Sequence, residues 1–403
     1  MDKTNPPAGG KDHRQIGQEL DLFSFHEVAP GAVFWHHKGW VIYKILQEFI
    51  RNKLSKEGYQ EISTPVMAKS ALFKKSGHWD FYHENMFNFD VEKESYSLKP
   101  MNCPEASLIY AAKTRSYQDL PLRFSEFGIL HRNELSGVLG GLFRVRQFVI
   151  DDAHHFIRPD QIQEEIHKLI LLVVDFYKSL NFKPEFYFST KPDKAMGDPK
   201  LWEQAERDLK TALTNSKVKY GVKEKDGAFY GPKIDIHMND SQERDWQLAT
   251  IQLDFQIPQS LELEYIDKDG KPKRPIIIHR AILGSLERFI GILTEHYQGA
   301  FPLWLAPIQV VIMPITDKQE KASLRITEDL KKEGIRAELD NRPKRLQAKI
   351  RDGSLQKVPY LGIIGDREIE ESNISVRTRD GKGLKLKISE FVQRLKEEID
   401  KKI

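Results

Sequence analysis

Between Arg123 and Phe156 the chain reads RFSEFGILHRNELSGVLGGLFRVRQFVIDDAHHF, two strand-like runs that carry arginines, acids and histidines where a buried strand would carry apolar residues. Unpaired charge is expensive to take out of water. Arg132, Glu134, Arg144, Arg146, Asp151, Asp152, His131, His154 and His155 are therefore expected to face a polar cavity. A Gly-rich turn containing Ser136, Gly137, Gly140 and Gly141 would join the runs into a hairpin, whose arginines can grip phosphate oxygens through paired N–H donors. Composition alone leaves open a surface hairpin laced with ion pairs of little consequence.

With 403 residues, 40% hydrophobic and 30% charged, the chain is long enough for about two to three domains with real cores. Its net charge of +3 neither argues for nucleic acid nor excludes it, so an RNA partner has to be argued from local patches. No apolar run approaches the ~18 residues needed to span a bilayer, and MDKTNPPAGGKDHRQ has no apolar leader segment. These features predict no membrane partner and a cytoplasmic location. The lone Cys103 rules out an internal disulfide and fits a reducing compartment.

Residues 1–11, rich in Pro and Gly, read as a flexible lead-in. From Gly39 the spacing of Ile42, Ile45, Leu46, Phe49, Ile50 and Leu54 predicts an amphipathic helix that Gly58 ends, with YQEISTPVM following as a strand. Strands dominate as far as residue 156. Helices are expected over Arg158–Ser179 and near 199–215, strands at AFYGPKIDIHM, ATIQLDFQIP and RPIIIHR, and a helix through ILGSLERFIGILTEHY with Leu286, Phe289, Ile290 and Leu293 on one face. This pattern argues an α+β domain with an antiparallel sheet. After Trp304, strands IQVVIMPI, IRAELD, VPYLGIIG and ISVRTRD alternate with helices over Lys318–Glu333, near Leu346–Arg351 and in SEFVQRLKEEI. That grammar predicts βαβ crossovers and a largely parallel sheet in a second, α/β domain over 305–403.

GHWDFY at Gly77, LKPMNCP at Leu98, Arg132 with Glu134, RVR and DDAHHF in the hairpin, GAFYGPKID at Gly227, IQLDF at Ile251 and IHRAILGSLERFIGILTEH at Ile278 follow one another in a specific order. From about Lys11 to the C-terminus the chain resembles the catalytic core plus anticodon-binding domain of threonyl-tRNA synthetases, a subgroup of the class II aminoacyl-tRNA synthetases. The helix and strand ending at Pro65 look like motif 1, the hairpin like motif 2, and Gly284 with Arg288 like motif 3. The resemblance implies an α+β, antiparallel-sheet class II catalytic domain over 12–304 and a smaller α/β anticodon-binding domain with a mixed five-stranded sheet over 305–403.

It also implies roles. Arg132 would contact the ATP α-phosphate, Glu134 the adenine amino group, and Arg144 the phosphates. Phe148 and Arg288 would flank the adenine, Arg288 reaching the γ-phosphate, with Mg2+ entering alongside ATP. One Zn2+ per chain would be held by Cys103, His154 and His279, residues that spacing alone leaves as ordinary core side chains. L-threonine would ligate it through amino group and hydroxyl, Asp152 receiving the amino group, Tyr230 and Gln252 lining the side-chain end, and Met101 completing the pocket. Lys233 would lie near the adenylate and His78 at the terminal ribose of threonine tRNA, with His131 and His155 structural. Glu368 and Arg377 would read anticodon bases. A homodimer is expected on the segment from Gly39 to about Met67. Because Met1 lies only a linker's length before the core, the family's editing domains are expected to be missing, and a separate trans-editing factor to clear Ser-tRNA.

The chain departs from the family's usual pattern at Glu105 and Ala106, where Gly-His is frequent, and at Leu135, Gln147, Ile150, Leu248 and Ala249. Pro343, Lys344 and Arg345 replace the usual Asn-Glu-Lys, which trades base-specific contact for cations suited to phosphate. A paralogue acting as a tRNA-binding, regulatory or resistance copy is the competing class. Retention of Arg132, Glu134, Arg288 and the three metal ligands favours the enzyme.

Overall fold

The computed structural model describes residues 10–240 and 243–402, so most of the expected lead-in lies outside the described residues. The chain forms two compact units, one of Phe25–Val33 with Gln47–Gly291, the other of residues 10–24, 34–46 and 292–402. Among the described residues no helix is long and apolar enough to cross a membrane.

The first unit is built on strands β1 (Gln60–Glu61), β2 (Leu122–His131), β3 (Gln147–Ile157), β4 (Pro184–Ser189), β5 (Tyr220–Lys223), β6 (Lys233–Asn239), β7 (Asp245–Asp254) and β8 (Ile276–Ser285). They form one eight-stranded sheet in the order β5-β4-β6-β7-β8-β3-β2-β1, antiparallel except for the outer pairs β5/β4 and β2/β1. The hairpin expected from the sequence is β2 and β3, paired from Leu122↔Phe156 to His131↔Gln147.

Side chains alternate between the faces of a strand, and this divides the charged residues of the hairpin. Asp152 and His154 share one face with Gln252 of β7 and His279 of β8, which stand opposite one another in the ladders. Asp151 and His155 point the other way, which corrects the expectation that all the hairpin's charges line one cavity. On that second face Asp151 accepts hydrogen bonds from Ile282 N (2.9 Å), Leu283 N (2.8 Å) and Arg280 Nη1 (3.3 Å). His155 is held between Glu165 (3.0 Å) and Tyr59 (2.8 Å). The helix Ile162–Lys178 covers this side, burying Ile166, Leu169, Ile170, Val173 and Phe176, and Tyr177 donates to Ile282 O at 2.6 Å. His131 pairs with Gln147 at 3.2 Å, and Arg146 donates to Glu134 O at 2.9 Å, so both brace the hairpin.

The segment before the hairpin is less strand-rich than its sequence implied. YQEISTPVM yields β1 and, at its last residue, the start of the strand Met67–Lys69, which joins a separate three-stranded sheet with Asn88–Val91 and Glu94–Leu98. Short helices Ser70–Lys75, His78–Tyr82 and Cys103–Ala111 lie between. Helices of nine residues or fewer carry too few periods for a 3.6-residue pattern to register. Conversely, β8 runs on to Ser285, so the residues Ile282, Leu283 and Gly284 expected in a helix are extended, and the helix begins only at Leu286. Gly284 permits that junction with its φ of +71°.

In the second unit, β9 (Val310–Pro314), β10 (Ala337–Leu339), β11 (Tyr360–Ile364), β12 (Asn373–Thr378) and β13 (Gly383–Lys387) form a sheet in the order β10-β9-β11-β12-β13. The first three strands are parallel, as βαβ crossovers require, and the last two antiparallel. The sheet is thus mixed, as the family resemblance implies, and not largely parallel as the alternation alone predicts, because β12 runs antiparallel to β11 and GLKLK, passed over in the sequence, adds a further hairpin strand. Val310, Ile312, Ile374 and Val376 pack with Phe391 and Leu395 on one face, and Val311, Met313 and Leu361 with Ile350 on the other.

Breaking a buried ion pair on one side only leaves an uncompensated charge, at a cost of about 3–5 kcal/mol. Arg280→Met should therefore lower stability by about that amount, read as a shift of the urea unfolding midpoint, since Asp151 is fully enclosed.

Candidate active site and metal centre

The open face of the sheet brings together three buried side chains of the types that can ligate a metal. Cys103 begins the helix Cys103–Ala111, and His154 and His279 are direct cross-strand partners on β3 and β8. One ligand atom from each lies within 4.8 Å of those of the other two. The donor set fits a borderline-soft divalent cation, with one thiol, two imidazoles and room for a further ligand from outside. Burial pushes the Cys103 thiol well above its ordinary range and the His154 imidazole well below, so a neutral imidazole stands ready as a ligand. Each ligand also has a polar partner behind it. Asp254 Oδ2 is 2.9 Å from His279 Nε2, His78 Nε2 is 3.2 Å from Cys103 Sγ, and Asp152 Oδ2 is 3.9 Å from His154 Nε2.

Around this cluster lies a cavity of about 310 Å³, whose lining includes Met101, Asp152, Tyr230, Thr250 and Gln252. Asp152 accepts a hydrogen bond from Asn102 Nδ2 at 3.0 Å, and burial pushes its carboxyl up to about 6. The Tyr230 hydroxyl donates to Gln252 Oε1, and Gln252 Nε2 donates to Thr250 Oγ1 at 3.0 Å.

A second cavity of about 300 Å³ shares the walls Arg132, Ile150, Thr250 and Gln252, and is lined further by Glu134, Arg144, Phe148 and Arg288. The Arg132 guanidinium lies 5.0 Å from the Phe148 ring centre and 5.6 Å from that of Tyr82. Glu134 Oε2 accepts from Arg144 Nε at 2.8 Å, and Arg288 Nε donates to Phe143 O at 3.0 Å. Burial, and then the charges of Arg132 and Arg144, depress the Arg288 guanidinium below its ordinary range. Three arginines answered by one glutamate favour an anion rich in oxygen acceptors.

Not every expected residue reaches these cavities. Lys233 lies on the same sheet face beside Gln252 but is paired with Asp235 (3.0 Å) and Asp226 (3.5 Å) and lines neither cavity. His78 is 0% exposed, wedged between Ser76 Oγ (2.9 Å) and Cys103, with burial and then His279 pushing it down to about 3. Its ring backs the sulfur, next to the turn at which Gly77 takes a φ of +81°. Glu368 spends its carboxylate on Gly365 N (2.9 Å) and Ser375 Oγ (2.8 Å), whereas Arg377 on the adjacent strand is exposed. In the preceding loop Lys344 is tied to Asp352 (2.9 Å) and Arg342 to Asp340 (2.6 Å), so their charge is locally balanced.

Among the departures, Ile150 stands where the two cavities meet, and Leu248 lines the arginine-rich one. Glu105 is buried beside the cysteine, and burial pushes its carboxyl up to about 8. Residues that sequence reasoning passed over are Asn102, Thr250, Asp254 and Glu287. Three of them sit inside motifs already recognised, MNCP, LDF and LERF, where an acid or amide amid apolar neighbours was the available signal.

Residues 86–297 match the tRNA synthetase class II core domain (G, H, P, S and T). The chain belongs to the class II tRNA synthetases. Residues 309–398 of this synthetase match the anticodon binding domain. The chain is 51% identical over 393 residues to a threonine--tRNA ligase of Caldanaerobacter subterraneus subsp. tengcongensis, covering 97% of this chain and 61% of that protein. It is 50% identical to one from Clostridium botulinum (strain Langeland), covering 98% of this chain and 62% of the relative. This synthetase thus spans about three-fifths of the length of these curated relatives. The crystal structure of the RNA binding domain of threonyl-tRNA synthetase from Cryptosporidium parvum superposes with a TM-score of 0.93 at 39% identity, covering 96% of this chain and 98% of that one.

Glu287, buried at the start of the helix Leu286–His296, accepts a hydrogen bond from Val149 N at 3.0 Å, next to Phe148. Burial pushes its carboxyl up to about 8. The folded protein keeps a proton that the unfolded chain releases above about pH 4.3, so stability falls as pH rises from there towards about 8. Glu287→Gln retains the acceptor and removes the titration. Its stability advantage in urea unfolding should widen with pH across that window, to on the order of a few kcal/mol.

Proposed function

We propose that this chain is a threonine–tRNA ligase that activates L-threonine with ATP and transfers it to the 3′ end of threonine tRNA. The observation that carries the reading is the Cys103, His154 and His279 cluster, opening on a small cavity that shares walls with an arginine-ringed one. In this reading residues 12–304 are the catalytic domain and 305–403 the anticodon-binding domain, with Arg377 offering its guanidinium to the anticodon. In this reading the protein acts in the cytoplasm as a homodimer formed through the segment from Gly39 to about Met67, where Trp40 is an exposed aromatic.

Arg132 holds the phosphate nearest the amino acid and neutralises charge that builds there as the carboxylate attacks. Arg144 and Arg288 bind the outer phosphates, where Mg2+ enters with the nucleotide, and Phe148 offers a face for adenine. Asp152, steadied by Asn102, receives the threonine amino group. Cys103, His154 and His279 would hold one Zn2+, which when bound supplies Lewis-acid coordination of the amino group and hydroxyl of threonine. Tyr230 and Gln252 close the side-chain end.

Valine has threonine's shape and no hydroxyl, so a pocket built around that hydroxyl rejects it by about 10⁴-fold. Serine lacks only a methyl, worth about 1–3 kcal/mol, and should be activated roughly 10–200-fold less efficiently than threonine. Clearing Ser-tRNA then falls to a hydrolytic site other than this one. ATP–pyrophosphate exchange across the amino acids checks this order. Cys103→Ser should lower bound zinc and threonine-dependent exchange together. Exchange with no threonine preference, or full exchange by metal-free protein, would refute the reading.

A further inference from the structure

We propose that Asp254 is a positioning residue that locks His279 into the tautomer carrying its proton on Nε2, leaving Nδ1 as the nitrogen that binds metal. The inference rests on the metal reading above and adds how one ligand is held in its binding form.

Asp254 is the last residue of β7, two positions beyond Gln252, which is the ladder partner of His279. It is fully buried, and its carboxylate is clamped. Oδ1 accepts hydrogen bonds from Gln256 N at 2.7 Å and Ile257 N at 3.0 Å, capping the turn Ile257–Ser260, so the carboxylate cannot rotate away without unpairing two buried amides. Oδ2 lies 2.9 Å from His279 Nε2. A carboxylate oxygen only accepts, so Nε2 must donate, and a neutral imidazole then has its lone pair on Nδ1. The ring is confined as well, with Tyr230 at 4.7 Å on one side and the edge of His154 at 4.9 Å on another, centroid to centroid. Orientation and tautomer of His279 are thereby set before any ion arrives. Partners of this kind typically change metal affinity by about 10–100-fold.

Asp254→Asn separates positioning from folding. Its side-chain oxygen can go on accepting from Gln256 and Ile257, so the turn keeps its cap. Its amide then meets Nε2–H donor to donor, and His279 relieves the clash by moving its proton to Nδ1, which removes the metal-binding lone pair. In the purified full chain, competition with a chromophoric chelator should show Zn2+ affinity at least ~10-fold below wild type. The unfolding midpoint of the metal-free variant should match wild type, and the visible absorption of the Co2+-loaded form should lose intensity. Unchanged Zn2+ affinity in this variant would overturn the positioning role. Wild-type protein that binds neither Zn2+ nor Co2+ would instead overturn the metal reading, and the positioning role with it. Should Asp254→Asn fail to fold, histidine-labelled wild-type protein without metal decides the matter by long-range 1H–15N NMR. A His279 resonance with the proton on Nε2 is expected there, and one with the proton on Nδ1 refutes the proposal.

Discussion

The structure depends on the two-residue alternation of an antiparallel ladder. Four polar residues in a row, Asp151, Asp152, His154 and His155 around one alanine, could not all be buried against one surface. The pleat sends Asp152 and His154 to the open face and Asp151 and His155 to the helix-covered one, where Arg280, Glu165 and Tyr59 meet them. Because β3 lies between β2 and β8 with fixed register, His279 is delivered opposite His154 and Gln252 opposite His279. A slip of one residue in β3 or β8 would move its histidine to the wrong side of the sheet.

Burial then gives the assembled groups their chemical character. In water a thiol and two imidazoles are unremarkable neighbours. Enclosed, the imidazole of His154 stays neutral and the thiol is held protonated until an opposite charge arrives. The arginines of the adjoining cavity show the converse, since three guanidiniums with one glutamate form a region whose unmet demand is for anionic oxygen. One face of the sheet therefore offers a cation site and an anion site side by side, kept from neutralising each other by the fixed geometry of the strands that bear them.

Much of this was legible in the sequence. The hairpin and the long helices follow from periodicity and punctuation, whereas Cys103, His154 and His279, which lie together beside one cavity, were singled out only through the family resemblance. Short helices such as His78–Tyr82 escaped because local spacing in a five-residue element says little against tertiary packing. In the second unit the mixed sheet came from the family resemblance, while periodicity alone missed its last strand because GLKLK alternates over too few residues to stand out. At the site, the difficulty was directional. Sequence supplies residue types, but that His78 stands against a sulfur follows from the fold next to the backbone turn at Gly77, with its φ of +81°. Asp254 and Asn102 were hidden for a similar reason, since a residue that acts only through its neighbour has no chemistry of its own to announce.

The side chain of Arg132 borders both cavities at once, resting against Phe148 and Tyr82. A ligand that draws this guanidinium towards itself alters the wall presented to the other compartment. The two occupancies are then linked thermodynamically, and linkage is symmetrical: whatever factor a ligand of the arginine-ringed cavity imposes on affinity in its neighbour, the ligand of that neighbour must return to it. A single shared guanidinium thus makes the order of filling a matter of kinetics, while the free energy of the doubly filled state is the same by either route.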